Sequence, residues 1–235
     1  MSVREIQTEL GRRGDPQVAS FLQRFFKTGP GEYGAGDRFR GIRVPVLRKL
    51  ASQYRHLTPQ QVVRLLRSPF HEDRLLALLV LMRLYRRGDD ERRAQVYELY
   101  LKHTKFINNW DLVDISAGHI VGAFLADKSR EPLYVLAHSG SLWERRIAVM
   151  ATSHFIRRGE YQETLRIAEL LLSDKEDLIH KATGWMLREV GKRDLRSEED
   201  FLRAHYQRMP RTMLRYAIEK FTPRERRKYL SGEIR

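Results

Sequence analysis

One tryptophan and one carboxylate, a helical turn apart, carry the clearest chemical signal in the chain. They lie in Asn108-Asn109-Trp110-Asp111-Leu112-Val113-Asp114-Ile115-Ser116-Ala117-Gly118-His119-Ile120-Val121-Gly122. The stretch predicts the opening of a helix. Asn108 or Asn109 caps the free N–H groups, and Asp111 falls in the first turn, where the macrodipole is positive. Trp110, Asp114, Gly118 and Gly122 recur every four residues and so share a face. Glycine inside a helix costs roughly 1 kcal/mol against alanine, so this face expects a close neighbour. Asp114 stands between Val113 and Ile115 with no Lys or Arg one turn away in the sequence. A carboxylate so placed can stabilise positive charge developing on a bound molecule. The plainer alternative makes Trp110 core, gives Asp114 a hydrogen-bond donor, and lets the glycines admit another helix.

Two further stretches hold residues suited to the same chemistry. Arg145 and Arg146 fall in the second turn of a helix expected to start after Ser141. Positive charge there is mildly unfavourable unless an anion is near, and an arginine beside helix N–H groups makes a good phosphate clamp. One of the pair, Arg145, reads equally as an ordinary surface arginine. Trp185 follows a glycine in His180-Lys181-Ala182-Thr183-Gly184-Trp185-Met186-Leu187-Arg188-Glu189. Asp114, Arg146 and Trp185 follow one another at spacings of 32 and 39 residues.

Composition narrows the partner. The 235 residues are 42% hydrophobic and 31% charged, as in a protein with a real core. Lys and Arg number 44 against 30 Asp and Glu, a formal net charge of +14, and the pI is near 10.2. That excess favours a polyanion, nucleic acid before an acidic membrane surface. Cysteine is absent, which excludes disulfides, thiolate metal sites and a cysteine nucleophile. Neither a metal nor another cofactor is expected. The N-terminus lacks an apolar signal core, and the apolar run Leu75 to Met82 is too short to span a bilayer. A cytoplasmic protein is expected.

The elements that must position these residues read as helices throughout. Residues 2–13 predict a short helix. Asp15-Pro16 opens a second, to Phe26, which carries Phe21, Phe25 and Phe26. A glycine-rich stretch from Lys27 to Val44 follows. Its Gly29, Gly31 and Gly34 match G-x-G-x-x-G, but no strand precedes them and Pro30 interrupts, so a nucleotide site is rejected. Its Arg38, Arg40 and Arg43 can touch a phosphate backbone or simply face solvent. Capping boxes are expected at Thr58–Gln61, Ser141–Glu144, Ser173–Glu176 and Thr222–Glu225, and a helix start at Ser68-Pro69. No alternating β-branched run predicts a strand.

The helices also repeat. Arg74-Leu75-Leu76-Ala77 with Arg86-Arg87-Gly88 matches Arg145-Arg146-Ile147-Ala148 with Arg157-Arg158-Gly159 at an offset of 71, and Lys181-Ala182 and Tyr216-Ala217 continue the series at 34 and 35. A period of about 35–40 with small residues at the packing seam predicts an all-α, HEAT-like α-solenoid. It would be one domain over residues 1–235, curved into a superhelix with a basic concave groove, and monomeric. Asp114, Arg146 and Trp185 would line that groove. The shared Arg-Arg-Gly is accounted for by a basic helix end with a glycine stop.

Asn-Trp-Asp-Leu-Val-Asp (109–114), Leu-Trp-Glu-Arg-Arg-Ile-Ala (142–148) and His-Lys-Ala-Thr-Gly-Trp-Met-Leu-Arg-Glu (180–189) together resemble the AlkD-type DNA alkylation repair family, HEAT-like-repeat DNA glycosylases. The likeness extends to residues 25–34 and 41–45. It implies that Asp114 is the catalytic carboxylate, with Trp110 and Trp185 packed against the sugar and backbone of the damaged nucleotide. It implies that Arg146 contacts phosphate, and Phe21, Arg145, Lys181 and Arg188 are expected beside it at the DNA. The activity implied is hydrolysis of the N-glycosidic bond of cationic N3- or N7-alkylated purines in duplex DNA, without base flipping. Compared with one member of that family, this chain has Asn109 in place of a second tryptophan and Phe21 in place of a tyrosine. Two other classes stay open: a non-catalytic binder of duplex or branched DNA, and a helical scaffold for proteins.

Overall fold

The computed structural model describes residues 2–54 and 56–234. Met1, Arg55 and Arg235 lie outside the described residues, so both ends of the expected 1–235 domain do too. The fold is all-α, as expected. Among the described residues the β-type pairing is an isolated bridge between Arg38 and Phe70, and there is no strand. The chain divides into two compact units, 1–116 and 117–235.

Unit 1 holds α1 (Val3–Arg12), α2 (Pro16–Phe25), α3 (Val44–Gln53), α4 (Pro59–Leu66), α5 (His71–Arg87), α6 (Asp90–Lys102) and α7 (Trp110–Ala117), which ends at the unit boundary. Its centre is α5, which packs on α3, α4 and α6. The reason is compositional. Leu75 to Leu81 are all buried, and a helix that is apolar all round must be enclosed.

In unit 2 the chain continues through a π-helical turn (Gly118–Gly122) to α8 (Glu131–Ala137), α9 (Leu142–Ala151), α10 (Ser153–Arg157), α11 (Gln162–Leu170), α12 (Asp177–Gly191), α13 (Leu195–His205), α14 (Arg211–Ala217) and α15 (Pro223–Ser231). Here α12 is central, packed on α9, α10, α11, α13 and α14. Within each unit, helices pack on those one to three places away along the chain, a local pattern of the kind an α-solenoid has. The four repeat alanines, Ala77, Ala148, Ala182 and Ala217, are fully buried.

Local signals succeed where nothing distant competes. Thr58 and Thr222 form the expected capping boxes, and the Asp15 carboxylate accepts from Gln17 and Val18 N–H at 2.8 and 3.2 Å. Two expected boxes are absent. The Ser141 hydroxyl makes no cap bond, because the Glu144 carboxylate accepts from Ser139 instead. After Ser173 the helix begins only at Asp177, because Asp174 is held by Arg145. The start expected at Ser68 falls at His71, and the Ser68 hydroxyl accepts from Phe70 N–H at 3.2 Å while donating to Asp73 at 2.7 Å.

The glycine face of the Trp110 helix divides in two. A Cβ on Gly118 would collide with the Ser153 hydroxyl, and one on Gly122 with the Ala151 carbonyl and, at 2.8 Å, with His154 Cβ. These glycines therefore admit the backbone of α9 and α10, which is the plainer reading for this pair. Trp110 and Asp114 lie upstream in unit 1.

Candidate active site

In unit 1 the site residues gather on α7. Asn109 ends the preceding loop, and its side-chain oxygen accepts from Trp110 N–H at 2.8 Å. The Trp110 indole stacks on Phe26 (centroids 5.2 Å, interplanar 23°) and meets Phe25 edge-on at 6.0 Å. Phe25 in turn stacks on Phe21 at 6.0 Å. Phe21 and Phe25 are 57% and 53% exposed, so a file of aromatic surface runs from α2 to Trp110. Asp114 is half-buried one turn beyond Trp110. The Tyr100 phenol nearby is pushed up mainly by burial, with the Asp114 charge adding to it. It is spent as a donor to the Ser116 hydroxyl at 2.9 Å, since Ser116 itself donates to the Leu112 carbonyl at 2.6 Å.

Beneath this surface lies a charged network that the sequence reading missed. His71-Glu72-Asp73-Arg74, the first turn of α5, is buried at all four positions. The His71 ring bridges two carboxylates, with Nε2 2.8 Å from Asp111 and Nδ1 3.2 Å from Asp37. Arg74 donates to the other Asp37 oxygen at 2.6 Å, and the Asn109 amide donates to Asp37 at 3.2 Å. Burial pulls His71 down, but Asp111 and Asp37 outweigh it and hold the imidazole at about 9, so it is a cation at neutral pH. Burial likewise pushes the Asp37 carboxyl up, yet His71 and Arg74 bring it below its ordinary range. The cationic ring lies between Phe39 at 4.7 Å and Phe26 at 5.0 Å, and Phe26 carries Trp110 on its stack. Asn109 both donates and accepts here, which an indole, lacking an acceptor, cannot do. That accounts for the amide at this position.

The same turn organises the glycine-rich loop. The Glu72 carboxylate accepts from the backbone N–H of Arg40, Gly41 and Ile42 at 2.9, 2.8 and 3.1 Å. Gly41 has φ +82°, and a Cβ there would run into the Asp15 carbonyl, so glycine is required. The Arg40 guanidinium grips Asp73 at 2.7 and 3.0 Å and lies 3.9 Å over the Phe70 ring. Of the three loop arginines, Arg40 is therefore structural, and Arg38 and Arg43 are exposed. A row of four polar residues ahead of the apolar run from Leu75 was the available signal for this anchor.

Unit 2 holds the remaining expected residues on α9 and α12. Arg146 is only 4% exposed and donates to the Leu178 carbonyl. Arg145 is ion-paired with Asp174 at 2.6 Å. Lys181, Trp185 and Arg188 recur along α12 at helical spacing. Lys181 is 2.7 Å from Asp177, and Arg188 is paired with Glu219. Trp185 is half-buried, and its indole N–H donates to Glu189 at 3.2 Å. Gly184 lets α14 approach, since a Cβ there would strike the Met213 carbonyl and, at 2.6 Å, Tyr216 Cβ. The structure thus brings Trp110, Asp114 and Phe21 together in unit 1, and Arg145, Arg146, Lys181, Trp185 and Arg188 on two packed helices in unit 2. Among the described residues no group of three or more His, Asp or Glu is arranged to hold a metal ion, and no helix is long and apolar enough to cross a membrane.

A family model described as DNA alkylation repair enzyme matches residues 6–221. Among solved structures, the chain is similar to a predicted DNA alkylation repair enzyme from Enterococcus faecalis, at 15% identity and a TM-score of 0.68, over 90% of this chain and 98% of that one. At that identity the likeness speaks for the fold. No curated protein matches the chain.

Proposed function

The chain belongs to the DNA alkylation repair enzyme family, and on that premise we propose that it is a DNA glycosylase acting on cationic N3- and N7-alkylated purines in duplex DNA. The observation that carries this reading is the half-buried Asp114 carboxylate one turn from Trp110, whose ring is fixed by Phe26 and Phe25. A purine alkylated at N3 or N7 is positively charged and leaves readily, so no strong general acid is needed. Water adds at C1′ as the bond from C1′ to the base nitrogen breaks. The bonding pair departs with the base and discharges its positive charge, and the proton of the water passes to Asp114 or solvent. Asp114 stabilises the oxocarbenium-like sugar and orients the water.

Trp110 and Trp185 pack against the sugar and backbone and attract the cationic lesion through their faces, for about 0.5–2 kcal/mol each. Arg146 contacts phosphate, with Phe21, Arg145, Lys181 and Arg188 beside it at the DNA. Arg145, Lys181 and Arg188 hold carboxylate partners in the free protein, so phosphate competes with those partners. The net charge of +14 supplies salt-dependent affinity. Most glycosylases extrude the target base. The sequence resemblance supports reading the lesion through its sugar instead, with water as the only nucleophile.

The test is release of free base from duplex DNA containing N7-methylguanine or 3-methyladenine. The expected products are the methylated purine and an abasic strand that stays intact until treated with alkali. Salt-sensitive duplex binding without base release would establish the non-catalytic binder instead.

A further inference from the structure

Arg86-Arg87-Gly88 and Arg157-Arg158-Gly159 repeat in the sequence, and the proposed chemistry uses neither. Each ends a helix, where the macrodipole favours cations in both cases. Their surroundings differ. Arg158 lies between two carboxylates, 3.2 Å from Asp127 and 2.9 Å from Glu160. At the end of α5 there is instead a pocket of about 210 Å³ lined by Arg83, Leu84, Arg87, Gly88 and Arg92.

Its three arginines come from the last two turns of α5 and the first turn of α6. Among the described residues none of them is ion-paired. Arg83 reaches the Arg48 carbonyl at 3.4 Å and Arg92 the Gln95 side-chain oxygen at 3.2 Å. The nearby acids are engaged elsewhere: Asp89 accepts from the Arg92 backbone N–H at 2.9 Å, Asp90 pairs with Arg93 at 3.2 Å, and Glu91 accepts from the Gln95 amide at 3.2 Å. Gly88 has an ordinary extended backbone (φ −78°, ψ 155°), so conformation does not demand glycine. Space does: a Cβ would lie 2.6 and 2.7 Å from Arg92 Cγ and Cβ. The glycine lets the Arg92 stem cross the helix end and bring its charge to the pocket. A helix dipole explains basic residues here, but not this convergence of unpaired guanidinium groups.

We propose that the pocket between the end of α5 and the start of α6 binds a phosphate group, taken from a nucleic-acid backbone remote from Asp114. This rests on nucleic acid being the partner. Tetrahedral oxyanions suit forked guanidinium donors. His71, which touches Asp111, lies at the other end of α5, and sixteen residues of helix span about 24 Å. A phosphate clamped in the pocket lies about 24 Å from that end of the helix.

The experiment measures binding of an undamaged 30-base-pair duplex between 50 and 300 mM salt. It compares wild type, Arg83→Gln/Arg87→Gln/Arg92→Gln, and Arg157→Gln/Arg158→Gln as control. Thermal unfolding confirms that each variant is folded, and Arg92→Gln alone gives a milder second test. A parallel titration with inorganic pyrophosphate looks for a small phosphate ligand. The triple variant is expected to bind about tenfold more weakly at 100 mM salt, with the slope of log K against log salt shallower by about 0.9 for each lost phosphate. The control is expected to keep the wild-type slope. Unchanged slopes with pyrophosphate binding lost only in the triple variant would overturn the backbone source and leave a site for a free phosphate compound. Unchanged slopes with no pyrophosphate binding would overturn the site. The duplex carries no lesion, so failure of base release elsewhere would count against the glycosylase and leave this result standing.

Discussion

Replacing His71 with glutamine removes the titratable bridge between Asp37 and Asp111 and makes the buried network measurable. The folded chain holds the imidazole at about 9, against an ordinary value of 6.5. Each tenfold change in a protonation equilibrium is worth about 1.4 kcal/mol, so the network contributes about 3 kcal/mol to stability when His71 is charged. Because the folded-state value is raised, that contribution is fully present below about pH 6.5, declines as pH rises, and is gone above about pH 9. Asp37 runs the other way: its value is lowered, so its contribution is present above the ordinary carboxylate range and is lost in acid. It is therefore constant over the window. The buried tyrosines Tyr54 and Tyr100 titrate above it. Urea unfolding, followed by Trp110 fluorescence in a Trp143→Phe/Trp185→Phe background, reports the unit that contains His71. At pH 6 the His71→Gln variant should be less stable by about 3–5 kcal/mol, the cost of breaking a buried pair. The gap should narrow by about 3 kcal/mol by pH 9.5. A gap independent of pH would refute a charged His71 in the folded protein.

Gly122→Ala forces a methyl into the Ala151 carbonyl and His154. It should cost about 1–3 kcal/mol in urea or thermal unfolding, as overpacking does, whereas Gly140→Ala, where a Cβ meets nothing within 4 Å, should not. Trp110→Ala removes one aromatic face from the proposed site. It should lower kcat/KM for base release about 2- to 30-fold, the equivalent of roughly 0.5–2 kcal/mol. Equal activity would remove Trp110 from the site.

Much of the fold was legible because the signals are local or repeated. Thr58, Thr222 and Asp15 cap helices through neighbours three residues away or fewer, and the alanines that recur in the sequence are all buried. Ser141 misled because its acidic partner, Glu144, is taken by Ser139, and Ser173 because Arg145 holds the neighbouring Asp174 and the helix starts only at Asp177. The chemical surface was half legible. Trp110 and Asp114 stand out within one helix turn, but the His71 network ties residues 37, 71, 74, 109 and 111, and no local pattern links Asp37 to Asn109. One arginine misled: Arg40 reads as a possible DNA contact but grips Asp73.

The central claim is that Asp114 carries hydrolysis of the glycosidic bond. It is tested most directly by base release from duplex DNA containing N7-methylguanine, with wild type and Asp114→Asn compared under single-turnover conditions and duplex binding measured alongside. The account predicts free base from wild type, a fall of about 100-fold or more in the asparagine variant, and little change in binding. Equal release by both proteins, or duplex binding by both with no release at all, would contradict it.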